Sequence, residues 1–136
     1  MPYETTWLLQ GRIIRTDFFG EMTEETVQEA TCLLVELLDE GNGPLVHVIT
    51  DTSRIGHFPI KVGLASRASA EGMHHPKLGW MVFITDNRMI KYLASVVTGI
   101  AHVRFRAFGT LEEGLAFLNH VDSTLPPLLA HQHDDD

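Results

Sequence analysis

The sequence predicts an α/β domain: a mostly parallel sheet with an N-terminal antiparallel hairpin, in the order ββαβαβαβα, with helices packed on the sheet. Two observations predict it. Three short, almost continuously apolar runs, at 45–50, 80–85 and 103–108, alternate with stretches of helical spacing, as strands buried on both faces of a parallel sheet do. The first twenty residues instead hold two extended runs parted by one glycine, the pattern of a hairpin.

Each element has its own signal. Tyr3, Thr5, Trp7 and Leu9 alternate with Glu4, Thr6, Leu8 and Gln10, which predicts a first strand. Gly11 is its turn, Arg12 to Phe19 the second strand, and Gly20 its end. Thr23 caps the first helix, with Glu24 and Glu25 in the first turn, where the helix dipole favours acids. Val27, Ala30, Leu34 and Leu37 form its buried stripe, and Gly41 stops it. LVHVIT (45–50) is the third strand, and Asp51, Thr52 and Ser53 read as the loop at its carboxyl end. Ile60 to Glu71 is a weaker helix, rich in Ala and Ser and interrupted by Gly63. WMVFIT (80–85) is the fourth strand, and Asp86 is the expected cap of a helix carrying Met89, Ile90, Leu93, Val96, Val97 and Ile100. In the last strand Val103, Phe105 and Ala107 share one face, and Arg104, Arg106 and Phe108 the other. Thr110 and Glu113 stand at capping-box spacing before the final helix, which buries Leu111, Leu115 and Leu118. Residues 1–125 are expected to form one domain, with Pro126 and Pro127 ending the fold and 126–136 an acidic, His-containing disordered tail.

The totals narrow the function. The chain has 136 residues, enough for one core without staples, and its 44% hydrophobic and 21% charged content is ordinary for a globular domain. A formal net charge of −8 and cations scattered along the chain disfavour a nucleic-acid partner. The start, MPYETTWLLQGR, lacks a basic region and a long apolar run, so no signal peptide is expected. No apolar run approaches the ~20 residues of a membrane span, and a cytoplasmic location is expected. The single cysteine, Cys32, excludes an internal disulfide and sits in an apolar helical stretch, where burial is expected.

In an open α/β sheet, ligands gather beyond the carboxyl ends of the strands. Two such ends carry polar groups here: Thr50 to Arg54, continuing through His57, Phe58 and Pro59, and Thr85 to Arg88. Asp51 is a carboxylate where a phosphoacceptor could stand, but the acidic partners and the lysine of that chemistry are missing, and its ordinary role is a turn cap. Ser53 is a candidate phosphoacceptor without a base of its own; His57 is near in sequence only. His74 and His75 are adjacent and so point apart, which argues against a shared metal. Gly-x-x-x-x-Gly-Lys, Gly-x-Gly-x-x-Gly and Gly-x-Ser-x-Gly are all absent. Trp80, Met81 and Phe83 read as core. No catalytic set, metal site or cofactor is predicted.

Three runs, LVHVITDTSRI, HPKLGWMVFITDN and FRAFGTLEEGLAFL, in this order of elements, resemble the STAS domains, in particular the stand-alone bacterial anti-sigma-factor antagonists. The similarity spans about residues 3 to 122, with Gly114 where alanine is common. It implies a helix-covered sheet and protein–protein regulation. It also implies a phosphorylated serine at the start of the second helix. The corresponding stretch, Gly56 to Gly63, contains no Ser or Thr.

The expected function is a non-enzymatic binding or regulatory module. Its surface would be the loop after the third strand and the second helix: Asp51, Ser53, Arg54, His57, Phe58 and Lys61. The expected partner is a protein, such as a kinase or another regulator, and the free edge of the first strand makes a homodimer plausible. The competing expectation is a small-ligand protein or an enzyme, with a pocket between the second and third helices served by Asp51, His57, His74 and Arg88.

Overall fold

The structure, a computed structural model, describes residues 2–57 and 61–129. Its elements run β1 (Tyr3–Leu9), β2 (Ile13–Glu21), α1 (Glu24–Glu40), β3 (Val46–His57), α2 (Val62–Met73), β4 (Leu78–Ile84), α3 (Arg88–Ile100), β5 (Arg104–Phe108) and α4 (Leu111–Val121). The strands lie in one sheet in the order β1-β2-β3-β4-β5. β1 and β2 are antiparallel; each later pair is parallel, joined by a helix. The predicted hairpin and the three adjacent apolar strands are therefore present. Gly11, at φ +78, makes the hairpin turn in the left-handed region that favours glycine.

Alternate residues of the central strands feed two layers. Ile14, Val48, Met81 and Phe83 pack with Leu34 and Leu38 of α1 and Ile90 and Ala94 of α3. Ile13, Ile49, Val82 and Ile84 pack on the other face with Leu115 and Leu118 of α4. α1 lies over β1 and β2, α3 over β5, and α2 bridges α1 and α3, sharing Val27, Ala65, Ala68 and Val97 in a small cluster above the sheet. β5 alternates as expected: Val103, Phe105 and Ala107 join the α1–α3 layer, and Phe108 joins that of α4.

Helix ends follow the physical chemistry of caps. Thr23 Oγ1 accepts from the Thr26 N–H at 3.1 Å, and Thr110 Oγ1 accepts from the Glu113 N–H at 3.2 Å. For α3 the cap is Asn87, one residue after the expected Asp86: its Oδ1 accepts from Met89 and Ile90 N–H. α2 starts at Val62, later than expected, and its N-cap Lys61 supplies no side-chain bond.

Two further expectations are corrected. Asp51, Thr52 and Ser53 are not a loop; β3 continues through them to His57, paired with β2. Cys32 is exposed, because it lies on the outer side of α1, flanked by exposed Leu33 while Thr31 and Leu34 turn inward. The packed chain also passes Pro126 and Pro127: Leu128 is buried beside Leu125, and Asn119 holds the segment through the Pro126 carbonyl and the Leu128 N–H. No helix among the described residues is long and apolar enough to cross a membrane.

Candidate functional site

The parallel register sets Asp17 of β2 directly beside Asp51 of β3. Side chains alternate along a strand, so Arg15, Asp17 and Asp51 continue the face that Ile13 and Ile49 present to α4. Two neighbouring carboxylates on one face repel. Arg15 resolves this by bridging them: its Nη2 donates to Asp51 Oδ2 at 3.0 Å and its Nε to Asp17 Oδ1 at 3.2 Å. Asp51 and Asp17 are largely buried, with 11% and 16% of their side chains exposed.

Beyond Asp51 the strand changes partners. Pairing with β4 ends at Asp51 opposite Ile84, while β2 continues alongside. From Asp17 to Phe19 the β2 chain advances two residues, and β3 advances three, from Asp51 to Arg54. The extra residue makes a bulge. Asp51 satisfies it locally: Oδ1 accepts from the Ser53 N–H at 2.9 Å and the Ser53 hydroxyl at 2.6 Å. Thr52 donates to the Ile84 carbonyl where the β3–β4 ladder stops. Asp51 thus does make the local backbone bond expected of it, but inside a strand.

The bulge turns Arg54 outward. Its guanidinium lies 4.4 Å from the centroid of the Phe19 ring, with a long 3.9 Å approach to Asp17, and 64% of the side chain is exposed. The structure therefore gathers Asp51, Ser53 and Arg54 of the predicted surface and adds Arg15, Asp17 and Phe19. Those three escape a sequence reading because they come from β2, and only the register brings them here. Lys61 stands exposed at the start of α2. His57 ends β3 opposite Glu21, and Phe58 lies outside the described residues.

The competing site is not assembled. Asp51 belongs to the cluster above, and Arg88 stands exposed at the start of α3, beyond the carboxyl end of β4. His74 caps the end of α2, before the amino end of β4. His75 takes partners of its own: Nε2 bonds Asp39 at 2.7 Å and Nδ1 accepts from the Lys77 N–H. A cavity does exist beneath α2, but Asp51, His74 and Arg88 do not line it. No group of three or more metal-ligating side chains occurs among the described residues.

One buried titratable pair went unforeseen. His47, with only 1% of its side chain exposed, bonds Asp122 Oδ2 through Nε2 at 2.8 Å. Its Nδ1 accepts from the Trp80 N–H at 3.0 Å, so the proton sits on Nε2, which donates. Gly79 permits this approach, since a Cβ there would stand 2.5 Å from Nδ1. Burial lowers the His47 pKa below the usual 6.5, against the opposing pull of Asp122. Burial acts to raise the Asp122 pKa, but hydrogen bonds from Thr124 and His47 outweigh it and hold the carboxyl at about 2. Both ring nitrogens are committed, so the pair is a structural tether between β3 and the end of α4, not a general base. The available sequence signal was a histidine inside an otherwise apolar strand, which requires a partner.

No family model matches the chain, and no curated protein does. Solved structures match its fold. A protein of the DUF3478 family with a SpoIIAA-like fold, from Shewanella loihica PV-4, superposes with a TM-score of 0.61 at 14% identity, covering 85% of this chain and 91% of that one. The anti-sigma factor antagonist SpoIIAA in its unphosphorylated form superposes with a TM-score of 0.56 at 11% identity, covering 87% and 96%. The likeness shows that the chain has the SpoIIAA-like α/β fold, which the STAS resemblance implied.

Proposed function

We infer that this chain is a STAS-type regulatory module that docks a protein partner on the surface from Asp51 to Lys61, not a catalyst. The observation that carries this is Arg54, exposed and braced on Phe19 above a locked pair of carboxylates. Exposed Arg and aromatic groups held in place before binding lose little entropy on docking and are favoured contact anchors. Ser53, exposed and bonded to Asp51, is the candidate phosphoacceptor; a phosphate there would face the Asp51 carboxylate and break that bond. The fold shared with an anti-sigma factor antagonist supports a kinase or another regulator as the partner. The formal charge of −8 supports a protein partner over nucleic acid. Cytoplasmic residence and pairing of two chains along the β1 edge belong to the same reading.

A photo-crosslinking amino acid in place of Ser53, with Glu112 on α4 as the control position, tests this in cells of the source organism. The expected result is a discrete adduct from position 53 that disappears when Arg54 and Phe58 are both alanine. Equal adducts from both positions, or an adduct indifferent to that double substitution, would sink the reading.

A further inference from the structure

α2 spans the gap between α1 and α3 above the centre of the sheet, yet most of what it points downward is small: Ala65, Ser69 and Gly72, with Met73 only at its end. Opposite them are Val48, Thr50 and Met81 of the sheet. Met73, at the end of α2, packs against the core without filling the space, and a cavity of about 90 Å³ remains. No charged residue lines it. The void forfeits dispersion contacts that a close-packed interior would make.

Three of the five hydroxyls in its lining are spent, and Thr31 turns its methyl group toward Gly72. Ser69 donates back to the Ala65 carbonyl and Thr98 to the Ala94 carbonyl. Thr16 pairs with Thr5 on the neighbouring strand. Thr50 differs: it is buried at 6% exposure, and its hydroxyl donates only to the Met81 sulfur at 3.3 Å. A thioether is a weak acceptor, so this donor stands ready for a better one.

We propose that this cavity is a binding site for a small, uncharged, mainly hydrocarbon molecule whose single acceptor oxygen takes the Thr50 hydroxyl. The size follows from scale: a cavity of about 150 Å³ holds benzene with its six non-hydrogen atoms, so this one of about 90 Å³ admits roughly four. Absence of a countercharge in the lining excludes an ionised ligand, because burying an unpaired charge is prohibitive. α2 is the natural door. It has no side-chain cap at its N-terminus and packs mainly against α1 and α3.

The test is a titration of the intact chain with acetone, followed by methyl NMR and thermal melting. Sodium acetate, of the same size, is the charged control. Binding should shift the methyl signals of Val48, Leu34 and Val97 and raise the melting temperature, and acetate should do neither. Thr50→Val should weaken acetone binding about three- to tenfold, the worth of one hydrogen bond. Ala65→Leu should fill the space and abolish binding; Ala94→Val offers the same closure from α3 if the first variant does not fold. Absent methyl shifts in the wild type, equal shifts with acetate, or undiminished binding in a folded cavity-filled variant would overturn the proposal. Full affinity in Thr50→Val would overturn the assignment of the acceptor.

Discussion

His47 carries one of the few polar side chains in the centre of the sheet, and each of its ring atoms that needs a partner has one. Replacing it with Leu strands the Trp80 N–H, while Asp122 keeps Arg12 and Thr124 as donors; at about 1–3 kcal/mol for one unsatisfied group, a loss of roughly 1–3 kcal/mol is expected. The pair also fixes a pH dependence. The folded state holds the His47 pKa below 6.5, so the unfolded chain binds a proton that the folded one refuses. Stability from this source is complete above pH 6.5 and falls as pH drops through the lower, folded value. Asp122, held at about 2 against the usual 3.8, adds a second loss below pH 3.8. Denaturant melts at about pH 7.5, 6.5 and 5.5 should show wild-type stability falling through the last interval, with a shallower fall in His47→Leu. A parallel fall in both would remove His47 as the cause. Other single-residue features were unreadable for a plain reason. Asp86 and Asn87 are equally good cap residues, and only the geometry of the α3 entry selects the second; Cys32 reads as apolar, but its position on the outer side of α1 depends on how α1 sits on the sheet.

At the level of elements, apolar strands were legible and polar ones were not. Val48, Ile49, Val82 and Phe83 announce a doubly covered sheet through composition alone. Asp51-Thr52-Ser53-Arg54 carries the residue types of a turn, yet it continues β3, because β2 outlasts β4 and offers a ladder on one side. The cost of that extension is two carboxylates set side by side, which Arg15 neutralises. Arg15→Ala should therefore destabilise the domain by about 1–3 kcal/mol, the penalty for largely buried charges left unpaired. Asp17→Asn in the same chain should recover part of the loss. A double-mutant cycle reads this coupling directly, and additive effects would mean that Arg15 acts by packing alone. The candidate docking surface depends on this arrangement: without the bridge the bulge that presents Arg54 loses its footing, so partner crosslinking from position 53 should weaken along with stability.

Over the whole molecule, one face of the sheet is covered by α1, α2 and α3 and the other by α4 alone. A single helix of 11 residues is a narrow cover, and residues C-terminal to it widen the layer. Leu125 and Leu128 are 7% and 6% exposed and join Leu115 and Leu118 over Ile13 and Ile49. The two prolines between them look in sequence like the end of a fold. Here Asn119 grips their segment with one bond on each side, from its amide nitrogen to the Pro126 carbonyl and from the Leu128 N–H to its oxygen. The domain therefore needs more chain than its helical and strand periodicities suggest. Ending the chain at residue 125 removes Leu128 and both Asn119 bonds; burial of one leucine is worth about 1.5–3 kcal/mol and each bond about 1 kcal/mol, so a loss of roughly 3–5 kcal/mol is expected. A chain ending at residue 130 keeps all of these contacts and should match the 136-residue chain. Guanidinium melts of the two truncations decide the matter. Equal stability would place the boundary back at the prolines, whereas a deficit confined to the shorter chain would make the segment after α4 part of the layer that closes the second face.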